Sequence, residues 1–72
     1  MLFNYDALNG KIVEKFRNQS QFALALGMSE RSLSLKLNNK VGWKDRDIYK
    51  ASKLLGINDI DIPRYFFNIK VQ

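Results

Sequence analysis

The chain has no cysteine and no histidine. The first absence excludes disulfides and thiolate metal sites. The second removes the usual general base and the usual zinc ligand. Tyrosine, lysine and aspartate remain available for chemistry, but the seven acids form no paired arrangement suited to general acid–base work. Nothing resembles a glycine loop that cradles phosphate. An enzyme is therefore not expected, nor a metal, a cofactor or a small-molecule substrate. No apolar run is long enough to span a bilayer. The N-terminus lacks the basic segment and apolar stretch of a signal peptide. The cytoplasm is the expected location.

What is present fits one small domain. Seventy-two residues with 46% hydrophobic content are ample for a compact fold. A chain of this size buries roughly 60% of the surface its unfolded form exposes, so the core is small. The formal net charge is +5, and the pI is near 9.8. This excess is unevenly spread: Arg31, Lys36, Lys40, Lys44, Arg46, Lys50 and Lys53 are opposed only by Glu30, Asp45 and Asp47 over the same stretch. A basic bias concentrated in one region suits a nucleic-acid partner.

The stretch Gln19–Asn38, QSQFALALGMSERSLSLKLN, carries the clearest local pattern. It reads as two short helices joined at Gly27-Met28-Ser29. Phe22, Ala23 and Leu26 share one face of the first. Gly27 can take the positive φ that a sharp helix ending needs. Ser29 is a good N-cap, because its hydroxyl can accept a backbone N–H of the next turn. Met28 and Leu33 fall at the two positions of a hydrophobic staple around that cap. Leu33 and Leu37 form the inward stripe of the second helix. These are the parts of a helix-turn-helix, whose second helix can enter a DNA major groove.

The flanks extend the reading. A first helix is expected from Tyr5 or Asp6 to Phe16, with Asn4 or Asp6 as cap and Tyr5, Leu8, Ile12 and Phe16 facing inward. Met1 to Asn4 form an apolar lead-in. Asn38 to Gly42 read as a loop, and Trp43 as a plug closing that loop onto a fourth helix, about Lys44 to Leu55. Asp45 and Asp47 sit in its first turn, where the helix dipole favours acids. Asn58 or Asp59 can cap a short turn through Ile62, and Pro63 can begin another turn or break this one. Residues 66–72 alternate with period two: Phe67, Ile69 and Val71 on one face, Asn68, Lys70 and Gln72 on the other. That is a strand signal, and such a tail must pack on the domain or pair with something.

Gln19, Ala23, Gly27, Ser29, Leu33 and Asn38, in this order and spacing, resemble the Cro and lambda-repressor type of phage helix-turn-helix proteins. The SERSLSLKLNN run and the ending YFFNIKVQ extend the likeness over the whole chain, to small regulators of temperate phages of Gram-positive bacteria. Some of these occupy the Cro position opposite a repressor gene, and one type is a modulator of repression. The resemblance implies an all-α, lambda-repressor-like domain over residues 1–72, with about five short helices, the motif at 19–38 and an extended tail at 66–72. It also implies a role in the lysis–lysogeny decision, with operator DNA, a phage repressor, or both as partners. Where this type often has an aliphatic residue, Lys36 stands, and where it often has a neutral polar residue, Glu30 stands.

Two functional classes follow. With Leu33 and Leu37 inward, Glu30, Arg31, Ser34 and Leu35 are expected outward. In an operator-binding regulator, Arg31 forks onto guanine, Ser34 bonds a base edge or phosphate, and Leu35 touches a thymine methyl. The family resemblance assigns phosphate contacts to Gln19 and Asn38. Ser29 lies beside them at the helix start, and Lys36, Lys40 and Lys44 add further cations for phosphate. In the alternative, an anti-repressor, Glu30, Arg31, Ser34 and Leu35 instead form a protein-binding patch that masks a repressor's DNA-reading surface. Phe67, Ile69 and Val71 offer a second contact, by strand addition to a partner or to a second copy in a homodimer.

Overall fold

A computed structural model describes residues 2–71. Met1 of the lead-in and Gln72 of the tail's polar face lie outside these residues. The order of elements is α1 (Asp6–Phe16), α2 (Gln19–Leu26), α3 (Glu30–Leu37), α4 (Asp45–Leu55), a single 3-10 turn at Asp59–Asp61, and α5 (Ile62–Phe66). The fold is all-α, of helix-turn-helix type. No helix among the described residues is long and apolar enough to cross a membrane.

Helices α2 and α3 begin at side-chain caps, and α2 and α4 end at glycines. Asn18 caps α2, its Oδ1 accepting the Gln21 N–H at 2.9 Å, and Ser29 caps α3, its Oγ accepting the Ser32 N–H at 3.0 Å. At the end of α2, Gly27 takes φ +78°. The Gly27 N–H donates to Leu24 C=O and the Met28 N–H to Ala23 C=O, each at 3.1 Å. That pair of bonds closes the helix and turns the chain into α3. Gly56 ends α4 in the same way, with the Ile57 N–H on Ser52 C=O at 2.9 Å.

The helices surround one apolar cluster. Leu8 and Ile12 of α1, Phe22 of α2, Leu33 of α3 and Ala51 and Leu55 of α4 are fully buried, and Phe66 of α5 closes the cluster. Burying each large side chain contributes about 1.5–3 kcal/mol against leaving it in water. Tyr5 belongs to the same cluster, and burial pushes its phenol above the ordinary tyrosine range. Helix α2 packs on α1, α3 and α4, which places the α2–α3 unit across the other helices. Trp43 is half-buried, with its ring edge-on to Phe66 of α5 at 5.1 Å. The buried Trp43 Nε1 finds no partner among the described residues.

The tail departs from a seven-residue strand. Phe66 is the last residue of α5 and is buried, and Pro63 lies in the first turn of that helix, where its missing N–H costs nothing. Among the described residues only the Phe3–Ile69 pair makes a β-bridge, antiparallel, flanked by the Asn4 N–H on Asn68 C=O and the Lys70 N–H on Leu2 C=O. The expected pairing exists, but it is two bonds long and its partner is the lead-in. The other edge of that lead-in is closed by a side chain: Asn39 Oδ1 accepts the Phe3 N–H and Asn39 Nδ2 donates to Phe3 C=O, both at 2.9 Å.

Candidate interaction surface

The turn at 27–29 and the Ser29 cap hold the N-terminal half of α3 out from the body. Glu30 and Arg31 are exposed, and neither is ion-paired among the described residues. The acid is at the first position of α3, where unpaired backbone N–H groups stabilise negative charge. Ser34 and Leu35, expected outward, are half-buried, so the outer face of α3 is shallower than the helical wheel implies. The reason lies in the following loop, where the Lys40 and Val41 N–H groups both donate to Leu35 C=O, at 2.9 and 3.3 Å. The chain therefore folds back beside the last turn.

Lys36 is the clear correction. The residue is 7% exposed, its Nζ lies 3.3 Å from Asp47 Oδ2, and it donates to Gly42 C=O at 3.2 Å. Its ammonium is spent inside the fold and is withdrawn from phosphate. The stem lies where an aliphatic side chain would otherwise pack, and the charge is satisfied by an acid brought over from α4.

The remaining candidates for DNA contact are exposed. Gln19 is exposed, and its Nε2 donates to Asn9 Oδ1 at 3.3 Å. Asn38 is exposed, but its Nδ2 turns back to Ser34 C=O at 2.8 Å and to Ser34 Oγ at 3.3 Å. The Ser29 hydroxyl donates to Ser32 Oγ at 2.9 Å besides capping the helix. Lys40 is exposed in the loop, and Lys44 is exposed at the N-cap of α4, its backbone N–H donating to Asp47 Oδ2 at 3.4 Å. The outer face of α3 therefore carries one free arginine and one free acid and lacks a free lysine.

The tail leaves its apolar face open: Phe67, Ile69 and Val71 are 49%, 53% and 90% exposed. Phe67 stands edge-on to Phe3 at 5.9 Å.

Three positions carry weight that the motif did not signal. Asn39 takes φ +62° and clamps Phe3. Lys50 reaches from α4 to Leu26 C=O at the end of α2, at 3.0 Å. Asn18 caps α2. Of these, only Asn18 carried a usable signal, the Asn-x-x-Gln spacing of Asn18 and Gln21.

The α2–turn–α3 unit, with the half-polar outer face of α3, makes this a small all-α domain of helix-turn-helix type. The chain belongs to the family described as "Protein of unknown function (DUF739)", whose model matches residues 1–69. It is similar to the modulator of repression (MOR) of the temperate bacteriophage TP901-1 from Lactococcus lactis. The identity is 56%, with a TM-score of 0.84 to that solution structure, over 100% of this chain and 97% of the other. No curated protein matches the chain. A likeness of this extent supports a role in phage repression.

Proposed function

We propose that this chain is a non-catalytic modulator of repression that binds a phage repressor through the outer face of α3. The observation that carries this reading is the charge on that face. Lys36 is withdrawn into its pair with Asp47, while Glu30 stays exposed and unpaired. An acid followed by Arg31, Ser34 and Leu35 is complementary to a basic, DNA-reading surface on a repressor. Glu30 pairs with an arginine there, and Leu35 supplies an apolar anchor. Such a contact relieves repression without occupying an operator. Homology to the phage modulator supports the same class.

Co-purification with the cognate repressor tests it. Glu30→Lys and Leu35→Asp are expected to reduce repressor binding at least tenfold while the circular dichroism spectrum stays helical. Wild-type binding by both variants would eliminate α3 as the contact.

Operator reading by α3 is the second reading, and Arg31 is what favours it, being exposed, unpaired and able to fork onto guanine. In that case Arg31→Ala costs about 1–3 kcal/mol on operator DNA. A titration of the phage regulatory region with and without repressor separates the two readings.

A further inference from the structure

The basic charge that α3 lacks is gathered on one face of α4. Arg46, Tyr49, Lys50 and Lys53, at i, i+3, i+4 and i+7, line an open groove together with Asp45. Arg46 and Lys53 lie about 10 Å apart along the axis, from the helical rise. None of the three cations is ion-paired among the described residues. Asp45 turns its Oδ1 to the Arg46 N–H at 2.7 Å, and the face keeps a net positive charge. Lys50 donates to Leu26 C=O at 3.0 Å, which sets this face beside the α2–α3 turn. Tyr49 is 66% exposed in the middle of the stripe, with Lys53 Nζ 5.3 Å from its ring centroid. Solubility accounts for a stripe of cations. It does not account for an aromatic side chain held open among them.

We propose that this face of α4 binds the phosphodiester backbone of DNA without reading its sequence. Three cations over about 10 Å of helix match a strand that carries one phosphate per roughly 3.4 Å of duplex axis. The Tyr49 hydroxyl adds a neutral donor to a phosphate oxygen, a common non-specific contact. An acidic protein segment lacks that regular charge spacing. This groove shares no lining residue with the outer face of α3, so the proposal does not depend on α3 meeting a repressor.

Fluorescence anisotropy with a labelled duplex of arbitrary sequence, titrated between 50 and 200 mM salt, tests the proposal. Removing two phosphate contacts with Arg46→Gln plus Lys53→Gln is expected to flatten the log–log salt slope by about 1.8, at roughly 0.9 per contact. Lys50 stays in place because it closes α2, and glutamine preserves helix propensity. Tyr49→Ala is expected to weaken binding several-fold with the slope unchanged. Repressor co-purification by the double variant is expected at wild-type strength. Failure of the wild type to bind duplex at 50 mM salt would overturn the proposal, as would an unchanged slope in the double variant. A double variant that lost repressor but kept its salt slope would assign the face to protein contact instead. So would binding of a poly-glutamate peptide by a protein that ignored duplex.

Discussion

Lys36 Nζ lies 3.3 Å from Asp47 Oδ2 and 3.2 Å from Gly42 C=O, so the last turn of α3 is tied to the loop and to the first turn of α4. Asp47 serves twice, since its Oδ2 also accepts the Lys44 N–H at the start of α4. One carboxylate thus starts a helix and neutralises a cation that sequence alone would send to DNA.

The two partners are therefore not equivalent. Asp47→Ala leaves a buried ammonium without its counter-ion and removes the cap, and is expected to cost about 2–3 kcal/mol. Lys36→Met keeps the stem and removes the charge from a site where Asp47 can still reach water, and is expected to fall within about 1 kcal/mol of wild type. Urea denaturation gives the order. If Lys36→Met also flattened the salt slope of DNA binding, the inward placement of the ammonium would be wrong.

Two glycines should respond in opposite directions. Gly27 has φ +78°, and an added Cβ there would meet only Lys50 Nζ at 3.5 Å, an ordinary contact. The cost of Gly27→Ala is thus backbone strain, about 1–2 kcal/mol. Gly10 lies inside α1 with nothing within 4 Å of an added Cβ. Gly10→Ala is expected to stabilise by up to about 1 kcal/mol. Equal effects of the same sign in thermal melts would contradict this assignment of the two backbones.

Asn39 combines two tasks. Its αL backbone lets the Lys40 N–H reach Leu35 C=O behind α3, and its amide closes the free edge of the lead-in at Phe3. Asn39→Gly keeps the first and loses the second; Asn39→Ala loses both. Losses of about 1–2 kcal/mol for glycine and about 1 kcal/mol more for alanine are expected. Hydrogen exchange at the Phe3 amide should rise in both variants. An alanine variant as stable as the glycine variant would show that the backbone carries no strain.

Features set by near neighbours were legible in the sequence, and those set by distant partners were not. Gly27, Ser29 and the inward residues Phe22, Ala23, Leu26, Leu33 and Leu37 act within one or two turns, and the resulting α2–turn–α3 unit stands as read. Asp47 was readable as an acid favoured by a helix dipole, but its pairing with Lys36 depends on how α4 crosses the end of α3. Asn39 and Phe3 are 36 positions apart, and an asparagine in a loop gives no sign of which backbone it will hold. In the tail, period-two alternation over seven residues could not show that Phe66 completes a helical turn begun at Ile62. The surface of α3 was the least legible part, because half-burial of Ser34 and Leu35 comes from a loop that folds back on them.

The bridge between the tail and the lead-in has a parity that proline can expose. Phe3 and Ile69 face each other as a pair that exchanges no hydrogen bonds, while the flanking bonds run from Asn4 to Asn68 and from Lys70 to Leu2. The Lys70 N–H therefore points at the lead-in and the Ile69 N–H points away from it. Lys70→Pro removes a bond of the bridge and is expected to speed exchange at the Asn4 amide by about fivefold, in line with roughly 1 kcal/mol for one hydrogen bond. Ile69→Pro removes no hydrogen bond of the bridge, only an N–H on the open edge and the Ile69 side chain, and the Asn4 amide is expected to exchange close to the wild-type rate. The same variant blocks strand addition at that edge, by a partner's sheet or a second copy. With α3 as the repressor contact, co-purification should survive Ile69→Pro. Loss of repressor with unchanged Asn4 exchange would move the contact to the edge that carries Phe67, Ile69 and Val71.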